Sequence, residues 1–190
     1  MTEKYFDVAA RIRATVVGEA KRIREDGHMS DFGKKEQLIQ LLGAANRALR
    51  KNREELATEK TKRQDEARLA LIGTPKDASS YRNALEQAAK SEALADFTRL
   101  LNRASSVGDE EGGRAVVTIA LERGYPGILD AYAEAFPNRS SAVTSYRSAM
   151  AVEGNLQERM ATRMHLGGME LPAELKDISG PERASAEGQG

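Results

Sequence analysis

The chain has 190 residues, with 29 basic and 29 acidic side chains and therefore no net charge, and it contains no cysteine. The balanced charge argues against general nucleic-acid binding, which needs an excess of Lys and Arg. The lack of cysteine excludes disulfides, thiol catalysis and thiolate metal sites. No signal-peptide pattern opens the sequence and no apolar run approaches the roughly 18 residues that cross a bilayer, so we expect no membrane segment.

Two helices are predicted at the start of the chain. Apolar residues recur at helical spacing from Glu3 to about Asp26, and Gly27 follows as a stop signal. The second helix is predicted from Phe32 to Ile72, which would give it a length of about 60 Å. We therefore predict a long helical hairpin, a coiled-coil-like rod, over residues 1–74.

The second helix carries apolar residues in alternating steps of four and three, the spacing of a coiled-coil seam. We interpret four leucines of this seam as contacts between subunits of an oligomer. They are Leu38, Leu42, Leu49 and Leu56.

Shorter helices are predicted over residues 75–166, where glycines and prolines punctuate the sequence. They run from about Ser80 to Lys90, from about Glu92 to Ser105, from an Asp109 cap to Gly124, from Pro126 to Pro137, and from a Ser140 cap to about His165. The last has Val143, Tyr146, Met150, Leu156, Met160 and Met164 as its apolar positions. No segment alternates as a strand does, so the predicted fold is all-α, with this region as a bundle of short antiparallel helices.

Residues 167–190 lose the helical period and form an extended or disordered tail by prediction. Three apolar residues within it, Leu171, Leu175 and Ile178, are candidate anchors. The tail is either a disordered end or an arm that becomes ordered on a partner through these anchors.

No group of residues has the pattern of a catalytic, cofactor or metal site. The two histidines, His28 and His165, are far apart and lack a metal-ligand spacing. The acidic run from Asp109 to Glu111 suits a helix N-terminus. Basic residues of the second helix are interleaved with acidic ones, which favours ion pairs within the helix over phosphate contacts. We therefore predict no enzymatic activity, no cofactor and no metal ion.

Residues 78–137 contain a series of short motifs. They are Ser-Tyr-Arg-Asn-Ala-Leu at 80–85, Gly-Asp-Glu at 108–110, Arg-Ala-Val at 114–116, Gly-Tyr-Pro-Gly-Ile-Leu-Asp-Ala-Tyr at 124–132, and Pro137. With these motifs, about a third of the chain resembles small helical proteins encoded among the virion-structure genes of actinobacterial tailed phages and prophages. The long second helix lies outside this resemblance.

The resemblance implies a phage virion structural protein, most specifically an adaptor-like component of the head–tail connector. Such a protein would be assembled in the host cytoplasm, reside in the virion, form a homo-oligomer and dock on portal or other neck or capsid proteins. Two alternatives stay open at this point: a capsid scaffolding or assembly chaperone protein, and a nucleic-acid-associated regulator that uses the basic positions of the second helix.

Overall fold

A computed structural model of the chain describes residues 2–154 and 156–189, with all side chains except those of residues 152–154 and 158. Within these ranges the chain forms nine α-helices, two short 3-10 helices and no strand, which confirms the predicted all-α fold. The helices are α1 (Glu3–Glu25), α2 (Asp31–Ile72), α3 (Ala78–Ala88), α4 (Leu94–Ser106), α5 (Glu110–Glu122), α6 (Ile128–Ala135), α7 (Ser140–Gly154), α8 (Leu156–Leu166) and α9 (Gly180–Ala186). The 3-10 helices are Pro137–Arg139 and Ala173–Leu175.

The chain divides into two compact units. Unit 1 combines residues 1–60 with residues 155–190, and unit 2 consists of residues 61–154. This division differs from the predicted boundaries at residues 74 and 166. The residues after 155 belong with the start of the chain because they complete its apolar core, which a local sequence pattern does not reveal.

In unit 1, α1 packs antiparallel to the first part of α2. Tyr5 and Ala9, near the start of α1, share a cluster with Leu49 and Leu56 of α2. Further along α1, Val16 and Ala20 pack with Leu38, Leu42 and Ala45 of α2. The Asn52 side chain, 5% exposed, donates a hydrogen bond of 2.8 Å to the Tyr5 carbonyl and so fixes the register of the pair. The predicted hairpin is present, and it involves α2 up to about Glu59, which pairs with Lys4 at 2.6 Å.

Unit 2 is built around α5, which packs against α3, α4 and α6. Its core contains the fully buried side chains of Phe97, Leu101, Val117, Ile128 and Tyr132. The predicted cap at Asp109 and the predicted end at Gly124 are both present: the Asp109 side chain caps α5, and Gly124 follows α5 with φ of +79°, a conformation that favours glycine. In the same way the Asp77 side chain caps α3, and Gly108, with φ of +69°, follows α4.

The helix predicted from Ser140 to about His165 is helical in its described residues, which are Ser140–Gly154 (α7) in unit 2 and Leu156–Leu166 (α8) in unit 1. Of its predicted apolar positions, Val143 is buried in the core of unit 2. Leu156, Met160 and Met164 are instead exposed, because the face of α8 that packs in unit 1 is a different one.

Candidate protein-interaction surfaces

α8 carries three large apolar side chains that face solvent. Leu156, Met160 and Met164 are 66%, 57% and 75% exposed, and steps of four residues place them on one face of the helix. We call them the α8 row. On another side of α8, Leu166 is buried and the His165 ring stacks on Phe6 with centroids 4.6 Å apart. α8 therefore presents apolar side chains on its packed side and also on its exposed side.

The composition of the α8 row suits binding to another protein. Contiguous exposed apolar side chains on a folded protein mark interaction sites more often than isolated ones do. Methionine is unbranched and flexible, so it adapts to partners of different shape. Exposed Arg159 and Arg163 stand beside the row and supply the polar margin that interfaces usually have. The helical spacing of these three residues is visible in the sequence. From the sequence they are predicted as apolar positions of one long helix, and their exposure is not predicted.

The four leucines predicted as an oligomer seam lie in the interior of unit 1. Leu38, Leu42, Leu49 and Leu56 are each 4% exposed or less. They pack against α1 and, in the case of Leu38 and Leu42, against residues after 167 of the same chain. In this conformation the seam is occupied within the chain, so a direct α2–α2 contact between subunits would require it to open.

The predicted tail anchors are also inside unit 1. Leu175 and Ile178 are buried in the cluster that contains Leu38 and Leu42, and Leu171 is half-buried beside it. The described tail residues, 167–189, which we call the C-terminal segment, contain a 3-10 helix and α9 and differ in this from an extended or disordered end. The anchors bind the segment to its own chain here, while their binding to a partner stays a prediction.

Polar contacts hold the C-terminal segment at both of its ends. The Asn46 side chain, 7% exposed, donates to the Ala186 carbonyl at 2.8 Å and accepts from the Met169 amide at 2.7 Å. At the rim, Arg24 pairs with Glu174 at 2.5 Å. These contacts were not anticipated from the sequence, because residue 46 is far from residues 169 and 186 along the chain and no local pattern links them.

Unit 2 has a cleft between α3, α4 and α5 with a volume of about 310 Å³. Its lining is mixed: Leu100, Ala104, Val107 and Val116 are apolar, and Gln87, Arg103 and Asp109 are polar or charged. Val107, at the end of α4, is 74% exposed. The mixed lining of this cleft does not favour an apolar occupant over a polar one, so the cleft carries no functional argument.

Two basic residues of α2 form ion pairs within the helix. Lys51 pairs with Glu55 at 4.0 Å and Lys62 with Glu66 at 3.9 Å, in both cases one helical turn apart. Arg50 reaches the Glu187 carbonyl at 3.5 Å. The pairs of Lys51 and Lys62 agree with the interpretation of ion pairs within a solvated helix.

Two glutamates at the start of α5 form ion pairs with arginines. Asp109 caps the helix, while Glu110 accepts from Arg139 at 3.1 Å and from Arg114 at 3.3 Å. The hydrogen bond from Arg139 is the main reason that the pKa of Glu110 lies below its usual value. Arg114, only 5% exposed, also reaches Glu111 at 3.4 Å. Across the described residues no group of His, Asp or Glu is arranged to hold a metal ion.

The two histidines have structural surroundings in unit 1. His28 lies in the exposed turn after α1, where its backbone amide donates to the Asp26 carboxylate at 2.8 Å. The His165 ring packs on Phe6, and its carbonyl accepts from Arg13. The structure does not bring them together with each other or with a nucleophile.

In residues 2–154 and 156–189, none of the helices combines the length and apolar character that a bilayer span requires. Comparisons of the chain with protein-family models, with curated proteins and with solved structures found no match. The geometry of the two units therefore carries the functional argument, together with the motifs of residues 78–137.

Proposed function

We propose that this chain is a structural protein of a tailed-phage particle that acts by binding other proteins, as an adaptor-like component of the head–tail connector. The observation that carries the protein-binding part is the α8 row, with three large apolar side chains on one exposed helix face. The connector part rests on the resemblance of residues 78–137 to phage virion-structure proteins. The proposal includes self-association and docking on portal or another neck protein.

The size of the α8 row bears on the kind of assembly it supports. Fully burying a Leu or Met side chain contributes about 1.5–3 kcal/mol, so the three partly exposed members contribute on the order of 3–6 kcal/mol together. Association costs at least about 4 kcal/mol in lost translational and rotational freedom. The row alone is therefore too small for a tight dimer. It suits one contact among several, as in a ring where each subunit has neighbours on two sides.

Light scattering of the full chain, alone and mixed with the portal protein encoded in the same genome, tests this proposal. We expect a ring-sized oligomer or a stable complex with portal, and we expect the double change Met160→Asp and Met164→Asp to weaken it at least tenfold. Val17→Asp is the matched control, because Val17 is an exposed apolar residue (66%) on α1 outside the row. A monomer in both conditions would contradict the proposal.

Mass spectrometry of purified virions separates a connector component from a capsid scaffold. A connector component stays in the mature particle, whereas a scaffold leaves it during assembly. If the chain is present in procapsids and missing from virions, the scaffolding alternative replaces the connector proposal.

A further inference from the structure

The C-terminal segment is bound in unit 1 in the way that a peptide is bound in a groove. The groove lies on α1 and α2 and is lined by Val16, Ala20, Leu38, Leu42 and Ala45. Into it the segment places Leu175, Ile178 and Ala186, which are 0%, 8% and 0% exposed. We call this surface the α1–α2 groove. The apolar side chains of the groove are covered by three residues, Leu175, Ile178 and Ala186, that lie within 12 residues of one another in the sequence.

Position 43 of α2 is shaped for the backbone of the segment. A Cβ atom on Gly43 would overlap the carbonyl oxygen of Ser185 and would lie 3.2 Å from its carbonyl carbon. At the adjoining Gly188, with φ of +72°, a Cβ atom would lie 3.0 Å from the Gly43 carbonyl oxygen. The two backbones thus meet directly, which requires glycine on the helix side.

Asn46 adds recognition of the main chain at two places. Its amide group bonds the Ala186 carbonyl and the Met169 amide, and both of these atoms are backbone atoms. A buried side chain that satisfies two main-chain groups of a segment selects its path. The groove therefore recognises this segment in three ways. It buries Leu175, Ile178 and Ala186, it brings the segment backbone against Gly43, and it bonds two main-chain groups through the Asn46 amide.

None of these contacts involves the covalent link through Gly167. The same atoms would meet in the same geometry if the segment came from another molecule. We propose that the α1–α2 groove is a recognition site for residues 167–189 as such, and that it takes the segment of a second copy of this chain in exchange for its own. Such an exchange makes and breaks equal contacts, so its main cost is the entropy of association, which falls when copies are concentrated.

The exchange assigns a role to the leucines that the sequence pattern placed at a subunit seam. Leu38 and Leu42 would contact another subunit through the segment of that subunit, without an α2–α2 pairing. The inference concerns unit 1 alone and does not depend on the assignment to a phage particle. Its failure would leave the connector proposal to be tested separately.

Two complementary variants of the full chain test the exchange. The first, Gly43→Leu, has an intact segment, but the leucine side chain fills the space that the segment backbone occupies beside position 43. The second, Leu175→Asp with Ile178→Asp, has an intact groove but a segment that cannot fill it. We expect neither variant alone to dimerise through this groove, and we expect a one-to-one mixture to form a heterodimer. Sedimentation velocity with one variant fluorescently labelled detects the heterodimer.

A synthetic peptide of residues 167–189 gives a second measurement. It should bind the Leu175→Asp, Ile178→Asp chain saturably, and a peptide that carries the same two changes should bind at least tenfold more weakly. If circular dichroism shows that the charged variant is unfolded, the milder pair Leu175→Ala and Ile178→Ala replaces it. A mixture that stays monomeric, with no difference between the two peptides, would overturn the proposal.

Discussion

Replacing Gly43 by alanine tests how the C-terminal segment is held, because two opposed effects meet at this position. In a helix interior alanine is more stable than glycine by about 1 kcal/mol. At Gly43 the added methyl group would overlap the Ser185 carbonyl. To restore ordinary contact distance the segment must withdraw by about 1 Å, which weakens its close packing. Gly18 of α1 provides the matched control, since a Cβ atom there has no neighbour within 4 Å.

The expected size of the effect follows from what the segment loses. Leu175 and Ile178 are buried only while the segment is docked, and burial of each contributes about 2 kcal/mol. Partial withdrawal forfeits a fraction of this, and it also lengthens both hydrogen bonds of Asn46, each with a net contribution of about 1 kcal/mol. We expect Gly18→Ala to stabilise unit 1 by up to about 1 kcal/mol. Gly43→Ala should leave it about 2–4 kcal/mol less stable than Gly18→Ala does.

Urea unfolding followed by circular dichroism measures the difference, and hydrogen exchange of residues 169–188 locates it. Hydrogen exchange is needed in addition to urea unfolding, because the two units do not have to unfold in one transition. In Gly43→Ala the amides of the segment should lose protection while those of α5 in unit 2 keep it. Equal stability of the two alanine variants, with the segment still protected in both, would refute the account of Gly43 as a backbone contact.

Three further changes have expected outcomes. Asn46→Ala removes both buried hydrogen bonds of that side chain and should cost about 2–3 kcal/mol in urea unfolding; a cost below about 0.5 kcal/mol would show that water replaces them. The Asp77 pKa is lowered to about 2 by hydrogen bonds from the serines that follow it, first of all Ser80, so the folded state holds the charged form more strongly than the unfolded state. Its contribution to stability is therefore complete above the ordinary value of 3.8 and disappears as the pH falls through about 2, and Asp77→Asn should abolish this part of the acid dependence of thermal unfolding. Arg114→Met leaves acidic partners without their buried guanidinium and should destabilise unit 2 by about 3 kcal/mol, whereas Arg99→Met, at an exposed ion pair, should change stability by less than about 0.5 kcal/mol.

Local signals account for the part of the fold that the sequence predicted. Capping by Asp77 and Asp109 and termination near Gly108 and Gly124 depend on atoms a few residues apart, so they are visible in the sequence. The apolar spacing of α2 identifies a row of leucines, interpreted from the sequence as a seam between subunits, and these leucines are buried within unit 1. It did not identify their partners, because helical periodicity specifies a face and not what covers it.

Long-range pairing accounts for the part that was not predicted. The contacts of Asn46 with residues 169 and 186 have no counterpart in any local pattern, and neither has the packing of Leu175 and Ile178 on α2. The two-part composition of unit 1 depends on such long-range contacts. The exposed α8 row was also missed. Its residues have the period of a buried helix face, and only the packing of α8 through Leu166 shows that the row faces outwards.

The discontinuous composition of unit 1 has a consequence for synthesis on the ribosome. Residues 61–154 form unit 2 from one uninterrupted stretch, so this unit can fold while later residues are still being added. The hairpin of α1 and the first part of α2 precedes unit 2 in translation, yet its apolar groove stays open until Ala186 has emerged. During that interval the nascent chain exposes Leu38 and Leu42, which the segment covers in the folded unit, and transiently exposed apolar side chains make a chain prone to aggregate.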